Sequence, residues 1–185
     1  MSLIGHGNKE LVERVMPRAE AAAKIKGMKS MPVREQIATE IVGLSYGFFS
    51  PLEGFMGRAD VDAVCQKMTL ADGTVWSIPI VLDLSDDEVT NYGVKEGESI
   101  LLTYQNQPMA IMEVSEIFTY DKQFMAKAVY GTDETKHPGV ARTYKYKDKF
   151  VGGKITLVNE PKITPPFDKF FLTPRQMRAA FAAKG

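Results

Sequence analysis

The chain is poor in the residues that most often announce a chemical site. It has one cysteine, Cys65, and two histidines, His6 and His137, among 185 residues. A single cysteine cannot close an internal disulfide, so a reducing, cytoplasmic setting is the default expectation. With only two histidines beside it, no cluster at metal-ligand spacing can be drawn. Net charge is lacking too. Lys plus Arg and Asp plus Glu both total 23, so no overall field draws the protein to nucleic acid or an anionic membrane, and any anion site must be local. Long apolar runs are missing: residues 78–82 already contain Pro79, far short of the roughly 20 apolar residues that a spanning helix needs. Residues 1–10 lack the basic-then-apolar order of a secretory signal.

What is present is ordinary globular composition, 44% hydrophobic and 25% charged, in a chain long enough for one domain plus a remnant of another. Two helical patterns occupy the first fifty residues. The first starts at Asn8, carries Leu11, Val12 and Val15, and is interrupted at Pro17 before Ala19, Ala22 and Ala23. The second places Ile37, Ile41, Val42 and Leu44 on one face and ends near Ser45. A third short helix is predicted over residues 60–68, with Val61, Val64, Cys65 and Met68 on one face. From Leu70 the pattern becomes β. Residues 75–84 form a nearly continuous apolar strand of the doubly buried kind, and further strands are expected at 99–104, 109–118 and 154–158. Residues 120–130 read equally as helix or extended chain. Pro161, Pro165 and Pro166 form a stiff connector, after which Thr173-Pro174-Arg175-Gln176 combines a cap, a first-turn proline and a returning glutamine. Met177, Ala180 and Phe181 give that helix an apolar face, and Gly185 is placed to close it. Short strands with close turns predict an α+β fold with a small barrel or sandwich decorated by helices.

Each constellation that could carry chemistry has a plainer reading. His137 precedes Pro138-Gly139, where an imidazole more often closes a turn than transfers a proton. Cys65 lies on the apolar face of its helix and reads as a core thiol. Gly152-Gly153-Lys154 lacks the spacing of a phosphate loop and is expected to be a turn leading into a strand. Asp83, Asp86, Asp87 and Glu88 could hold a divalent ion, but such a group more often opens a helix. The basic-aromatic stretch from Arg142 to Lys149 could stack on RNA; on a neutral domain a surface or interdomain contact is favoured.

One segment is unusual. Gly47-Phe48-Phe49-Ser50-Pro51-Leu52-Glu53-Gly54-Phe55-Met56 packs aromatics among turn formers, so Phe48, Phe49, Leu52 and Phe55 are expected to be buried in a shaped loop. It closely resembles the G-x-F-S-P-L-x-G-F-M signature of the amino-terminal domain of ATP sulfurylases (sulfate adenylyltransferases). Matches follow in the same order: Met68-Thr-Leu-Ala-Asp72-Gly73, Trp76-Ser-Ile-Pro-Ile80, His137-Pro138-Gly139-Val140, and Leu172-Thr173-Pro174 with Arg178, Phe181 and Gly185. Gly5-His-Gly-Asn8 resembles a drifted form of the P-H-G-G start of one branch.

The resemblance implies a PUA-like β-barrel over residues 1–168 and, over residues 169–185, the lead-in helix of a following α/β nucleotide-binding domain. It implies the adenylylation of sulfate by Mg-ATP in the complete enzyme, with sulfate attacking the α-phosphorus and pyrophosphate leaving. The Q-x-R-N-P-x-H-R-x-H stretch to which that chemistry belongs does not occur in this sequence, so no catalytic, cofactor-binding or metal-binding residue is assigned here. The motif residues are expected to be structural. Expected partners are the chain's own carboxy-terminal catalytic domain and, in the complete enzyme, further copies; a membrane is not expected, nor is nucleic acid. The rival reading is a free-standing PUA-like binding module using Arg142 to Lys149 on RNA, and a third is a purely structural domain.

Overall fold

The computed structural model describes residues 6–161 and 163–184, so Gly5 of the opening motif and Gly185 of the last one lie outside the described residues. Seven helices are described: α1 (Arg18–Lys24), α2 (Glu35–Ser45), α3 (Arg58–Lys67), α4 (Asp86–Tyr92), α5 (Lys122–Tyr130), α6 (Pro138–Thr143) and α7 (Pro174–Lys184). The strands are β1 (Ser30–Pro32), β2 (Gly54–Phe55), β3 (Leu82–Leu84), β4 (Ser99–Tyr104), β5 (Gln107–Phe118) and β6 (Lys149–Leu157). Hydrogen bonding runs in the order β1-β4-β5-β6-β2, with β3 also on β6, so the path has two ends, at β1 and β2. This is an α+β chain. It divides into two compact units, one of residues 1–54, 100–112 and 155–185, the other of residues 55–99 and 113–154.

In the first unit, β1 lies parallel to β4 with Met31 opposite Leu102. The turn between β4 and β5 is made by Gln105 and Asn106, both left-handed (φ 49° and 60°), the geometry a tight hairpin favours. Ile37, Ile41 and Leu44 of α2 are buried at the spacing that predicted the helix. A second apolar cluster joins Ala21 to Leu101, Ile111 and Val158.

Residues 9–16 are not the helix that their periodicity predicts. Their backbone is spent on distant partners: Arg14 N–H donates to Ser45 O, Leu157 N–H to Arg14 O and Met16 N–H to Leu157 O, each at 2.8 Å. Helix α1 therefore begins only after Pro17, which sits at its cap. A helical ladder would have consumed the Arg14 and Met16 N–H groups locally, and an N–H donates to one partner at a time.

In the second unit, α5 packs against α3 and α6, and β3 runs antiparallel to β6 with Asp83 opposite Phe150. Phe118 and Tyr146 meet Phe150 edge-on, with ring centroids 5.8 and 5.7 Å away. The strand predicted over residues 75–84 shrinks to β3. Val75 and Ile78 are exposed, and Pro79, which has no N–H to give a ladder, interrupts the run. Gly152 and Gly153 lie inside β6 rather than in a turn before it. A Cβ on Gly152 would stand 2.7 Å from the Gly57 Cα, and one on Gly153 2.1 Å from the Glu113 carbonyl oxygen. Both glycines serve close backbone approach.

Candidate functional site

The aromatic loop begins where α2 runs out. Gly43, in the last turn of that helix, has the Phe49 ring where its side chain would be, 2.8 Å from a Cβ position. Gly47 follows at φ 85°, and a Cβ there would stand 2.2 Å from the Val12 carbonyl oxygen. Both the dihedral and the neighbour require glycine. The Ser50 hydroxyl accepts from the Val12 N–H at 3.0 Å and donates to the Gly47 carbonyl at 2.8 Å. The Ser50–Pro51 bond is cis. Glu53 O then accepts from the Ile155 N–H at 3.0 Å. The loop is thus tied to the amino-terminal segment and to the end of β6, both within the first unit.

Its side chains do not all pack inward. Leu52, Phe55 and Met56 are buried and Phe49 is half-buried, but Phe48 is 51% exposed. Leu52 and Phe55 meet the expectation of a buried loop and Phe48 departs from it, because Phe49 occupies the space over Gly43. Phe48 instead lies 6.4 Å, centroid to centroid, from Phe171, which also meets Tyr46 at 6.0 Å. The Tyr46 hydroxyl is pushed up to about 12, first by burial and then by the charge and hydrogen bonding of Glu160. Phe48 and Phe171 therefore join the loop to the carboxy-terminal stretch of the same unit.

That stretch is apolar and uncovered. Phe167, Phe170 and Leu172 are exposed, and on α7 so are Met177 and Phe181. The helix start is built as its sequence predicts: Gln176 N–H donates to the Thr173 hydroxyl at 3.3 Å, and Thr173 N–H to the Gln176 side chain at 2.9 Å. Pro174 opens the helix, yet α7 buries none of its residues, and Arg178 is half-buried. Arg175 pairs with Glu13. Phe48, whose ring lies 6.4 Å from that of Phe171 in this stretch, is exposed as well.

The sequence candidates of the second unit resolve into structural roles. The His137 Nδ1 accepts from the Gly139 N–H at 3.2 Å and so caps α6, with Pro138 in the first turn. Its ring lies 4.9 Å from that of Tyr130, whose carbons stand 2.5 Å from the Cβ position of Gly139. Asp72 accepts from the Thr74 N–H at 2.9 Å across a turn in which Gly73 adopts φ 87°. Burial raises the Cys65 thiol, the nearby Asp62 adding to this against a hydrogen bond from Tyr120; a thiol held protonated is a poor nucleophile. Tyr120 is itself raised, first by burial and then by Cys65 and Asp62.

The acidic group opens a helix and meets cations. Ser85 and Glu88 form a reciprocal cap on α4, Lys147 pairs with Glu88, and Lys149 lies 3.3 Å from Asp86. Asp83 accepts from the Lys147 N–H at 2.9 Å. Two lysines of the basic-aromatic stretch are thus committed inside the unit, and the Tyr144 hydroxyl donates to Asp133 O at 3.1 Å. A shallow depression is lined by Asp121, Lys122, Gln123 and Tyr144. Asp121 caps α5, and Lys122 holds Asp148 and the Tyr146 carbonyl. Among the described residues no three of His, Cys, Asp and Glu gather closely enough to hold a metal ion, and no helix is long and apolar enough to cross a membrane.

Residues 3–160 match the family described as PUA-like domain. The chain belongs to that family. The PUA-like chain is 37% identical to a sulfate adenylyltransferase of Ignicoccus hospitalis and 39% identical to one of Halothermothrix orenii; each comparison covers 97% of this chain and 47% of the relative. It is 40% identical to a sulfate adenylyltransferase of Pyrococcus abyssi over 80% of its own length and 37% of the relative's. The PUA-like chain therefore spans about half the length of the curated relatives it matches, or less. Among solved structures it resembles a hexameric APS kinase from Thiobacillus denitrificans, with TM-score 0.73 and 24% identity over 99% of this chain and 32% of that one. That likeness speaks for the fold alone.

Proposed function

We propose that this chain is the amino-terminal, PUA-like part of a sulfate adenylyltransferase and serves there as scaffold and docking partner for the half that carries the chemistry. The observation behind this reading is the 37% to 39% identity across nearly the whole chain to sulfate adenylyltransferases more than twice its length. The exposure of the apolar side chains Phe48, Phe167, Phe170, Leu172, Met177 and Phe181 supports it. Uncovered aromatics at this density gain most by packing against another domain. On this reading the sheet belongs to a small PUA-like barrel, and α7 is the lead-in helix of the nucleotide-binding half. The complete enzyme would be an oligomer.

The reaction is the attack of a sulfate oxygen on the α-phosphorus of ATP with departure of pyrophosphate. Sulfate is a weak nucleophile, so positioning and cationic stabilisation of the phosphates carry the rate, with Mg²⁺ on the nucleotide. Among the described residues no three of His, Cys, Asp and Glu are gathered to hold the metal of a Mg-nucleotide. The clustered carboxylates Asp86 and Glu88 already face Lys149 and Lys147. On this reading nucleotide and metal belong to the other half. The RNA-binding alternative loses support for the same reason, since it needs those lysines free.

The test is pyrophosphate release from ATP and sulfate, measured for the protein encoded by the whole gene and for residues 1–185 alone. The full protein should be active and the fragment inactive. An active fragment would overturn the scaffold role. A reading frame closing at Gly185, with salt-sensitive RNA binding by its product, would favour the binding-module alternative.

A further inference from the structure

We propose that Glu13 and Arg175 form a positioning pair that fixes the direction of α7 on the first unit and, through it, the placement of the catalytic half; this rests on the function proposed above. Helix α7 fully buries none of its own residues on the first unit, so side-chain contacts such as this pair weigh more there in setting its axis. Its amino-terminal turn is joined by ion pairing to Glu13, and Glu13 stands on a firm base. On one side of it, the Val12 N–H is held by the Ser50 hydroxyl. On the other, Arg14 donates from Nε to Ile155 O at 2.6 Å and from Nη2 to the Thr156 hydroxyl at 3.3 Å, while its backbone pairs with Ser45 and Leu157.

The pair is partly exposed, with side-chain exposures of 50% for Arg175 and 27% for Glu13. A pair in such a setting adds little to global stability. Its leverage is geometric. At 1.5 Å per residue α7 is about 16 Å long, so a tilt of about 10° at its base carries its far end about 3 Å. Displacements of about 1 Å at reacting groups can cost about a hundredfold in rate. The planar fork of Arg175 suits a fixed carboxylate better than a lysine would.

The experiment uses the protein encoded by the whole gene, with Glu13→Arg, Arg175→Glu, both together, and the milder Arg175→Gln. It reads amide exchange over residues 174–184 alongside kcat and KM for ATP and sulfate. Each single reversal should raise α7 exchange about fivefold or more and lower kcat about tenfold, with KM within about twofold, since the defect lies in placement and not in substrate contacts. The double reversal should restore both readouts, and Arg175→Gln should fall between wild type and the reversals. Single variants with unchanged α7 exchange, or a double reversal as impaired as the singles, would overturn the pair. If a reversal prevents folding, unchanged exchange in Arg175→Gln does so instead. A wild-type protein without sulfurylase activity would strike the proposed function, while the exchange data would still decide whether the pair holds α7.

Discussion

The Val12 amide donates to the Ser50 hydroxyl across 38 positions of sequence, and that hydroxyl in turn donates to the Gly47 carbonyl. One buried side chain thus joins the amino-terminal segment to the aromatic loop. Ser50→Ala strands the Val12 N–H, while the Gly47 carbonyl keeps the Ser50 N–H as a donor; one buried group left unpaired costs about 1–3 kcal/mol. The urea midpoint should fall accordingly, and an unchanged midpoint would mean that water replaces the hydroxyl.

Gly47 and Gly73 make a matched comparison. Both hold left-handed dihedrals, φ 85° and 87°, but only Gly47 faces a neighbour; nothing lies within 4 Å of a Cβ on Gly73. Gly73→Ala should cost only the dihedral penalty of about 1–2 kcal/mol. Gly47→Ala adds a collision with the Val12 carbonyl and should cost clearly more in chemical denaturation. Equal costs would show that the amino-terminal segment yields.

Phe49 and Phe48 are adjacent and should behave differently. Phe49 is half-buried over Gly43, so Phe49→Ala should fall at or below the low end of the roughly 3–5 kcal/mol range for aromatic truncation. Phe48→Ala should cost less than about 1 kcal/mol in the isolated chain, because half of the ring is already in water. In the protein encoded by the whole gene the order should narrow or invert if Phe48 is covered there. Thermal denaturation of both variants in both lengths checks this.

His137 acts as an acceptor at a helix start. His137→Ala should lose about 0.5–2 kcal/mol, the usual worth of a cap, and His137→Asn should recover most of it. Equal melting temperatures for the two variants would assign the effect to the contact with Tyr130 rather than to the cap.

Stability should fall on the alkaline side through Tyr46. Burial and Glu160 lift its hydroxyl from 10.0 to about 12. Between these values the unfolded chain releases a proton that the folded chain keeps. The contribution is therefore fully present below pH 10 and is lost as pH rises through about 12. Tyr46→Phe should flatten the decline over that window, and an unaltered profile would place its origin elsewhere.

Helices α2, α3 and α7 were legible in the sequence because the signals that make them are local. Three- and four-residue apolar spacing, a cap, and a first-turn proline act within one or two turns of chain. The hairpin between β4 and β5 and the turn at Asp72-Gly73 are local in the same sense, whereas α6, which His137 caps, lies where the sequence showed only a turn. Residues 9–16 and 75–84 misled for the opposite reason. Their side chains carry the pattern of a helix and of a buried strand, but the first was settled far away, by Ser45 and Leu157, and in the second the apolar run masked a local break at Pro79.

The sequence alone therefore determined composition class, the end of α2, the span of α3, the start of α7, several turns and the family motif, since these depend on neighbours along the chain. Only the tertiary structure decided that Gly152 and Gly153 lie within a strand and that Lys147 and Lys149 answer the acidic group. It also decided that Phe49 turns inward while Phe48 turns out, and that Glu13 meets Arg175. Each of these depends on which distant groups compete for the same space, charge or backbone hydrogen bond, and a linear pattern carries no record of that competition.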